Sequence, residues 1–128
     1  MARTRRSLDE RIEEQEQVVS NLLLGYYDIR NLEDATYKKM TLSRIANFLE
    51  KRRSEFNRDG VKQISDTVFF ALNNMDIRHG KTQIGLSEDD ELKVLDRVFE
   101  MAIFLMQYTK IITNKNMIDL YKNVKNIN

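Results

Sequence analysis

The chain has 128 residues, contains no cysteine and a single histidine, and carries a formal net charge of +1. Without cysteine, disulfides, thiolate metal sites and cysteine nucleophiles are excluded, and one histidine cannot form a two-histidine metal clamp. A charge balance so close to zero argues against bulk electrostatic binding to nucleic acid or acidic membranes. We expect residues 1–128 to form one helical domain, with residues 1–7 as a flexible basic arm.

The apolar segments are too short for a membrane span. The longest uninterrupted run is the six residues Met101–Met106, whereas a spanning helix needs about 20 residues. The basic N-terminal residues are not followed by the apolar region of a secretory signal. We therefore expect no membrane partner and a cytoplasmic location.

The first predicted helix covers about residues 8–30. Ser7 and Glu10 have the spacing of a capping box at its start. The residues that follow at helical spacing predict one buried stripe, and they are Leu8, Ile12, Gln15, Val19, Leu22, Tyr26 and Ile29. Acidic side chains dominate the first half of this helix, so we expect its start to project and its end to lie in the core.

The second and third helices are predicted at about residues 35–56 and 61–74. The turn between them, residues 57–60, contains Asp59 and Gly60, which tolerate left-handed backbone angles. A short strand over residues 67–70 is the alternative, because short apolar runs are ambiguous.

A loop is predicted at residues 76–86, followed by a fourth helix that Ser87 caps and that reaches about Ile112. This helix is apolar almost all round over residues 98–106, which is typical of a central helix. Residues 113–116 are interpreted as a break before a terminal helix over about residues 117–124.

The predicted fold class is all-α, a compact bundle of four main helices plus a short C-terminal helix. The fourth helix is expected at the centre. The predicted core consists of large apolar side chains from the first four helices: Leu22, Leu23, Ile45, Phe48, Leu49, Val68, Phe69, Leu95, Phe99, Ile103 and Met106.

No motif for catalysis or cofactor binding is complete. Gly80, Lys81 and Thr82 resemble the end of a phosphate-binding loop, but position 75 is methionine where that loop needs glycine. His79 has no neighbouring carboxylate at a recognisable spacing to orient it as a base. The acidic runs lack the alternating ligands and glycine of a calcium loop. We expect no catalytic residue, no metal, no cofactor and no enzymatic activity.

The basic segment over residues 38–58 is the most informative part of the sequence, with seven cations against two acids. Arg44, Lys51 and Arg58 are spaced by seven residues, and Asn47 lies beside them on a helical wheel. Three interpretations stay open: a solvated face paired with acids of helix 1 or helix 4, a contact for nucleic acid or another polyanion, and a surface for an acidic protein. A helix-turn-helix formed by helices 2 and 3 is disfavoured, because the third helix soon becomes apolar.

Helix 1 suggests self-association. A polar residue such as Gln15 within a narrow apolar stripe is of the kind that sets the register of paired helices. The apolar seam is too short for a long coiled coil. A homo-oligomer through helix 1 is therefore one expectation, and packing of this stripe onto the same domain is the other.

These features predict a non-enzymatic interaction protein that binds a protein or ribonucleoprotein partner through its surface. A phage or mobile-element inhibitor or accessory subunit fits the size and the lack of catalytic groups. The alternative is a nucleic-acid-binding regulator using the basic face of helix 2 and the N-terminal arm. The candidate contact residues are Arg44, Asn47, Lys51 and Arg58 on the stripe, Arg78, His79 and Lys81 in the loop, and Arg3, Arg5 and Arg6 in the arm.

Overall fold

The computed structural model describes residues 7–74 and 86–127, with side chains described as far as residue 123. Within these residues the structure is all-helical and contains no strand, so the all-α prediction is confirmed and the alternative strand at 67–70 is wrong. The helices are α1 (Leu8–Tyr27), α2 (Ala35–Lys51), α3 (Val61–Asn74), α4 (Glu88–Tyr108) and α5 (Asn114–Ile127). In the same part of the chain, no helix is long and apolar enough to cross a membrane.

Helices α1, α2 and α4 each begin at a polar cap whose side chain accepts a backbone hydrogen bond. Ser7 accepts from the amide of Glu10 at 3.1 Å, and Ser87 accepts from the amide of Asp90 at 3.3 Å. The carboxylate of Asp34 caps α2 in the same way. These bonds satisfy amides that have no partner inside the helix, which is why the starts follow the sequence closely.

Two helices end earlier than their apolar periodicity predicts. Helix α1 ends at Tyr27 rather than near residue 30, because the carboxylate of Asp28 accepts from the amide of Arg30 and starts a 3₁₀ turn. Helix α2 ends at Lys51 rather than at Phe56, and a second 3₁₀ turn follows, Arg53–Phe56. This second turn carries Phe56 into the core, where it is almost fully buried.

The predicted break at residues 113–116 is in fact the start of α5. The Thr113 hydroxyl accepts from the amide of Asn116 at 3.2 Å, and the Asn116 side chain accepts from the amide of Thr113 at 2.9 Å. This reciprocal pair is a capping box with asparagine in the place of glutamate. As a result α5 contains 14 residues, as many as α3, so the terminal helix is longer than predicted.

The core lies where α4 packs along both α2 and α3, while α1 packs along α5 and α2. Every predicted core residue is buried except Phe48 and Ile103, which are partly buried. The rings of Tyr26 and Phe99 stack at 3.6 Å between centroids and join α1 to α4. Helix α4 is not buried on every side, because the apolar side chain of Phe104 is 42% exposed.

The turn that follows α4 contains a residue with a left-handed backbone conformation. Lys110 has a φ of 63° and its amide donates to the carbonyl of Gln107 at 3.0 Å. A side chain with a β-carbon is strained in this conformation, whereas glycine adopts it readily.

We expect Lys110→Gly to raise the free energy of unfolding by about 0.5 kcal/mol, measured by urea denaturation. Gly60→Ala is the matched control with the opposite sign, since Gly60 has a φ of 84° and open space around its α-carbon. That substitution should lower the free energy of unfolding by about 1 kcal/mol. A loss of stability in Lys110→Gly would contradict the strain argument.

Candidate interaction groove between α1 and α2

An open groove of about 500 Å³ lies between α1 and α2. We call it the α1–α2 groove. It is lined by Val18, Asn21 and Leu22 of α1 and by Tyr37, Met40, Thr41, Arg44, Asn47, Phe48 and Lys51 of α2. The α2 residues recur every three or four positions, so they form one continuous face of that helix.

A glycine brings the two walls of the groove together. A β-carbon added at Gly25 of α1 would clash with the hydroxyl oxygen of Tyr37. The missing side chain therefore lets the Tyr37 ring lie directly against α1. The side chain of Asn31 donates to the Gly25 carbonyl at 2.9 Å and fixes the connection that leads from α1 to α2.

The groove combines apolar surface with cations. Val18 is 48% exposed and Met40 is 44% exposed, so apolar area on both walls faces solvent. Arg44 and Lys51 are exposed on the α2 wall, and neither forms an ion pair within residues 7–74 and 86–123. Such an arrangement matches a ligand that is both apolar and negatively charged.

The structure places the residues of the predicted basic stripe on one continuous face only over α2. Arg44, Asn47 and Lys51 come together in the groove. Arg58 does not belong to this face, because α2 ends at Lys51 and Arg58 follows the second 3₁₀ turn, where helical spacing no longer applies. Arg58 is exposed at a separate place on the surface.

Two lysines of the basic segment are buried rather than solvated. Lys38 is 2% exposed and its ammonium group lies 2.8 Å from a carboxylate oxygen of Asp96. Lys39 is 4% exposed and forms an ion pair with Glu91. Both acids belong to α4, so the expected pairing with helix 4 occurs, but the two lysines are buried rather than solvated, and of the two acids only Asp96 has a side chain that is substantially exposed, at 49%.

Arg52 and Arg53 of the basic segment also form contacts within the fold. Arg52 forms an ion pair with Glu55 and donates to the carbonyl of Thr109 at 2.9 Å, which ties the end of α2 to the end of α4. The guanidinium of Arg53 lies 4.2 Å from the centroid of the Phe69 ring. The basic surface left for a partner is therefore smaller than the surface that the seven cations of the sequence predicted.

Lys38 also belongs to a polar cluster that the sequence analysis missed. The Tyr26 hydroxyl donates to Asp96 at 2.7 Å, to the same oxygen that accepts from Lys38. Burial raises the pKa of Tyr26, and its hydrogen bond to Asp96 raises the pKa further. A recess of about 170 Å³ lies beside this cluster. Because one carboxylate oxygen satisfies both donors, the cluster joins α1, α2 and α4 and needs no ligand.

A second groove, of about 320 Å³, lies between α3 and α4. Its lining is almost entirely apolar, and Phe70 at its edge is 64% exposed. Arg97 lies beside it but donates to Glu100 at 3.0 Å, so this groove offers less free charge than the α1–α2 groove.

The other predicted contact residues lie outside the described residues. They are Arg78, His79 and Lys81 of the loop and Arg3, Arg5 and Arg6 of the arm. Among the residues that are described, no group of three or more histidine or acidic side chains is arranged to hold a metal ion.

Comparisons with known proteins add no assignment. No protein-family model matches the chain, and no curated protein or solved structure is similar to it.

Proposed function

We propose that this chain is a non-enzymatic interaction protein whose α1–α2 groove binds an acidic, amphipathic segment of a protein partner. The observation that carries the proposal is the combination of exposed Val18 and Met40 in one groove with Arg44 and Lys51, two cations that form no ion pair with any described residue. A helix laid into a groove buries one apolar face and keeps its charges at the rim. The polar groups that line the groove are two cations, two amides and two hydroxyls, with no carboxylate among them to form an acid–base pair, which supports binding over catalysis.

The same surface fits a protein better than a nucleic acid. Arg44 and Lys51 lie about 10 Å apart along α2, and a phosphate backbone would leave the exposed apolar surface of Val18 and Met40 in the same groove uncovered. Nucleic-acid affinity depends mainly on the number of phosphates neutralised, and much of the basic segment is already paired. An inhibitor or accessory subunit of a phage or mobile element is the kind of protein we propose for this role.

The test is binding of a labelled synthetic helical peptide of about 15 residues, with glutamates flanking a leucine stripe, followed by fluorescence anisotropy. We expect saturable binding by the full chain and little binding of a control peptide with serine at the leucine positions. The Arg44→Glu/Lys51→Glu variant should bind at least about tenfold more weakly, a loss of about 1.4 kcal/mol. Arg58→Glu is the matched control, because it reverses an exposed cation outside the groove, and it should bind as the parent does.

Two results would overturn the proposal. One is the absence of saturable peptide binding, and the other is an equal loss in the Arg58→Glu control. A short DNA duplex and a single-stranded RNA serve as competing probes. Binding to either that falls steeply with salt and weakens equally on reversal of Arg44, Lys51 or Arg58 would establish the nucleic-acid alternative instead.

A further inference from the structure

The apolar stripe of α1 is buried in its second half and uncovered in its first. Val19 and Leu23 are fully buried. Leu8 and Ile12 continue the same stripe towards the start of the helix, yet they are 64% and 47% exposed. Within the described residues, therefore, the start of α1 presents an apolar face that the rest of the fold does not cover.

This uncovered face is flanked by negative charge. Asp9 and Glu13 are exposed and lie four residues apart, so they form one acidic edge beside Leu8 and Ile12. Glu10 adds a further exposed carboxylate, and Arg11 is the one cation between Ser7 and Gln17. The start of α1 is consequently an acidic, amphipathic helical segment, which is the ligand chemistry that the α1–α2 groove matches.

The start of α1 cannot reach the groove of its own chain. Val18, Asn21 and Leu22 of the same helix form one wall of that groove, and a continuous helix does not fold back on itself. A second copy of the chain removes this restriction. Each copy offers one acidic helix start and one groove, so two copies related by a two-fold axis satisfy both contacts at once.

We propose that the chain forms a homodimer in which the start of α1 of each copy, residues 8–14, docks in the α1–α2 groove of the other. The proposal rests on the groove being a binding site for an acidic helix. Leu8 and Ile12 are covered by the groove, and Asp9 and Glu13 meet Arg44 and Lys51. The dimer contact is both apolar and electrostatic, and it weakens as the salt concentration rises.

Sedimentation velocity of the full chain over a concentration series tests the proposal. The parent should sediment as a dimer, and Ile12→Asp should raise the dimer dissociation constant at least about tenfold. Asp9→Lys/Glu13→Lys and Arg44→Glu/Lys51→Glu should each dissociate in the same way, whereas Arg58→Glu should remain dimeric. Because the substituted residues are exposed, circular dichroism melting should find each variant folded.

Mixing the two charge-reversed variants provides the decisive measurement. Alone, each variant brings like charges together at both contacts of its dimer. In a mixed dimer one contact is native and the other has both signs reversed, so both contacts are attractive. We expect the mixture to dimerise although neither variant does so alone. Failure of the mixture to associate would overturn the proposal.

A parent chain that stays monomeric at its highest soluble concentration would also overturn the inference. Binding of the acidic helical peptide to that monomer would leave the function of the groove intact. If the chain neither dimerises nor binds the peptide, both proposals fail. Dimerisation that is unaffected by Ile12→Asp and by both charge reversals would place the dimer contact elsewhere and refute this inference.

Discussion

We expect replacement of Glu91 by glutamine to lower the free energy of unfolding by about 3 kcal/mol, with urea denaturation as the measurement. Glu91 is 9% exposed and pairs with Lys39, which is 4% exposed. Glutamine keeps the shape of the side chain and removes its charge, so the ammonium group of Lys39 stays buried without the counter-ion that offsets its desolvation.

Two further variants separate this explanation from a packing defect. Lys39→Met combined with Glu91→Leu removes both charges and should restore most of the stability lost in Glu91→Gln. Asp66→Asn breaks the exposed pair of Lys62 and Asp66, whose side chains are 60% and 59% exposed. Because this pair is exposed, Asp66→Asn should change the free energy of unfolding by less than about 0.5 kcal/mol. A double variant as unstable as Glu91→Gln would show that the charge is not the cause.

Replacing Asn116 by leucine is expected to lower the free energy of unfolding by about 2–3 kcal/mol. Asn116 is fully buried, and its amide nitrogen donates to the Glu16 carbonyl at 2.7 Å and to the Ser20 hydroxyl at 2.8 Å. Leucine would leave these buried acceptors without their donor and would remove half of the capping box with Thr113.

An asparagine on the same helix provides the control. The Asn123 side chain is exposed and donates only to the Asp119 carbonyl one turn earlier. Asn123→Leu should change the free energy of unfolding by less than about 0.5 kcal/mol. If calorimetry and urea denaturation find equal, small effects for both substitutions, the Asn116 contacts do not hold α5 against α1.

The starts of α1 and α4 were predictable because their caps are local. A serine followed by a turn of acidic residues marks both α1 and α4, and the relevant hydrogen bonds span three residues. The helix ends were less predictable, since they depend on competing contacts. Asp28 draws the chain into a 3₁₀ turn, and the anchoring of Arg52 on Thr109 involves residues far apart in sequence.

The helical spacing of the sequence indicates that a lysine of α2 is buried, although its charge alone suggests an exposed side chain. Lys38 precedes Leu42, Ile45 and Leu49 at intervals of three or four residues, so it belongs to the core-facing stripe of α2. Its position therefore predicts burial, but its acidic partner on α4 depends on the tertiary arrangement. The prediction from charge counted Lys38 and Lys39 among the surface cations. It therefore overestimated the size of the basic surface.

Part of the groove was predictable and part was not. Arg44, Asn47 and Lys51 share a face of α2 by spacing alone, and the groove contains all three. The apolar wall from Val18 and Leu22 could not be predicted, because it requires α1 to lie beside α2 at a particular distance. Which of the two neighbouring rings of α3 is buried also depends on the tertiary packing: Phe69 is buried and Phe70 is exposed.

The contact of Gly25 with Tyr37 determines how a substitution on α1 would change the shape of the α1–α2 groove. The Tyr37 phenol occupies the volume that any side chain at position 25 would need, and the phenol is also part of the groove lining. A single added methyl group on α1 must displace the ring outward, which alters the shape of the recess while the packed interior beneath α2 stays as it is. Position 25 is thus a point at which a single substitution changes the shape of the α1–α2 groove.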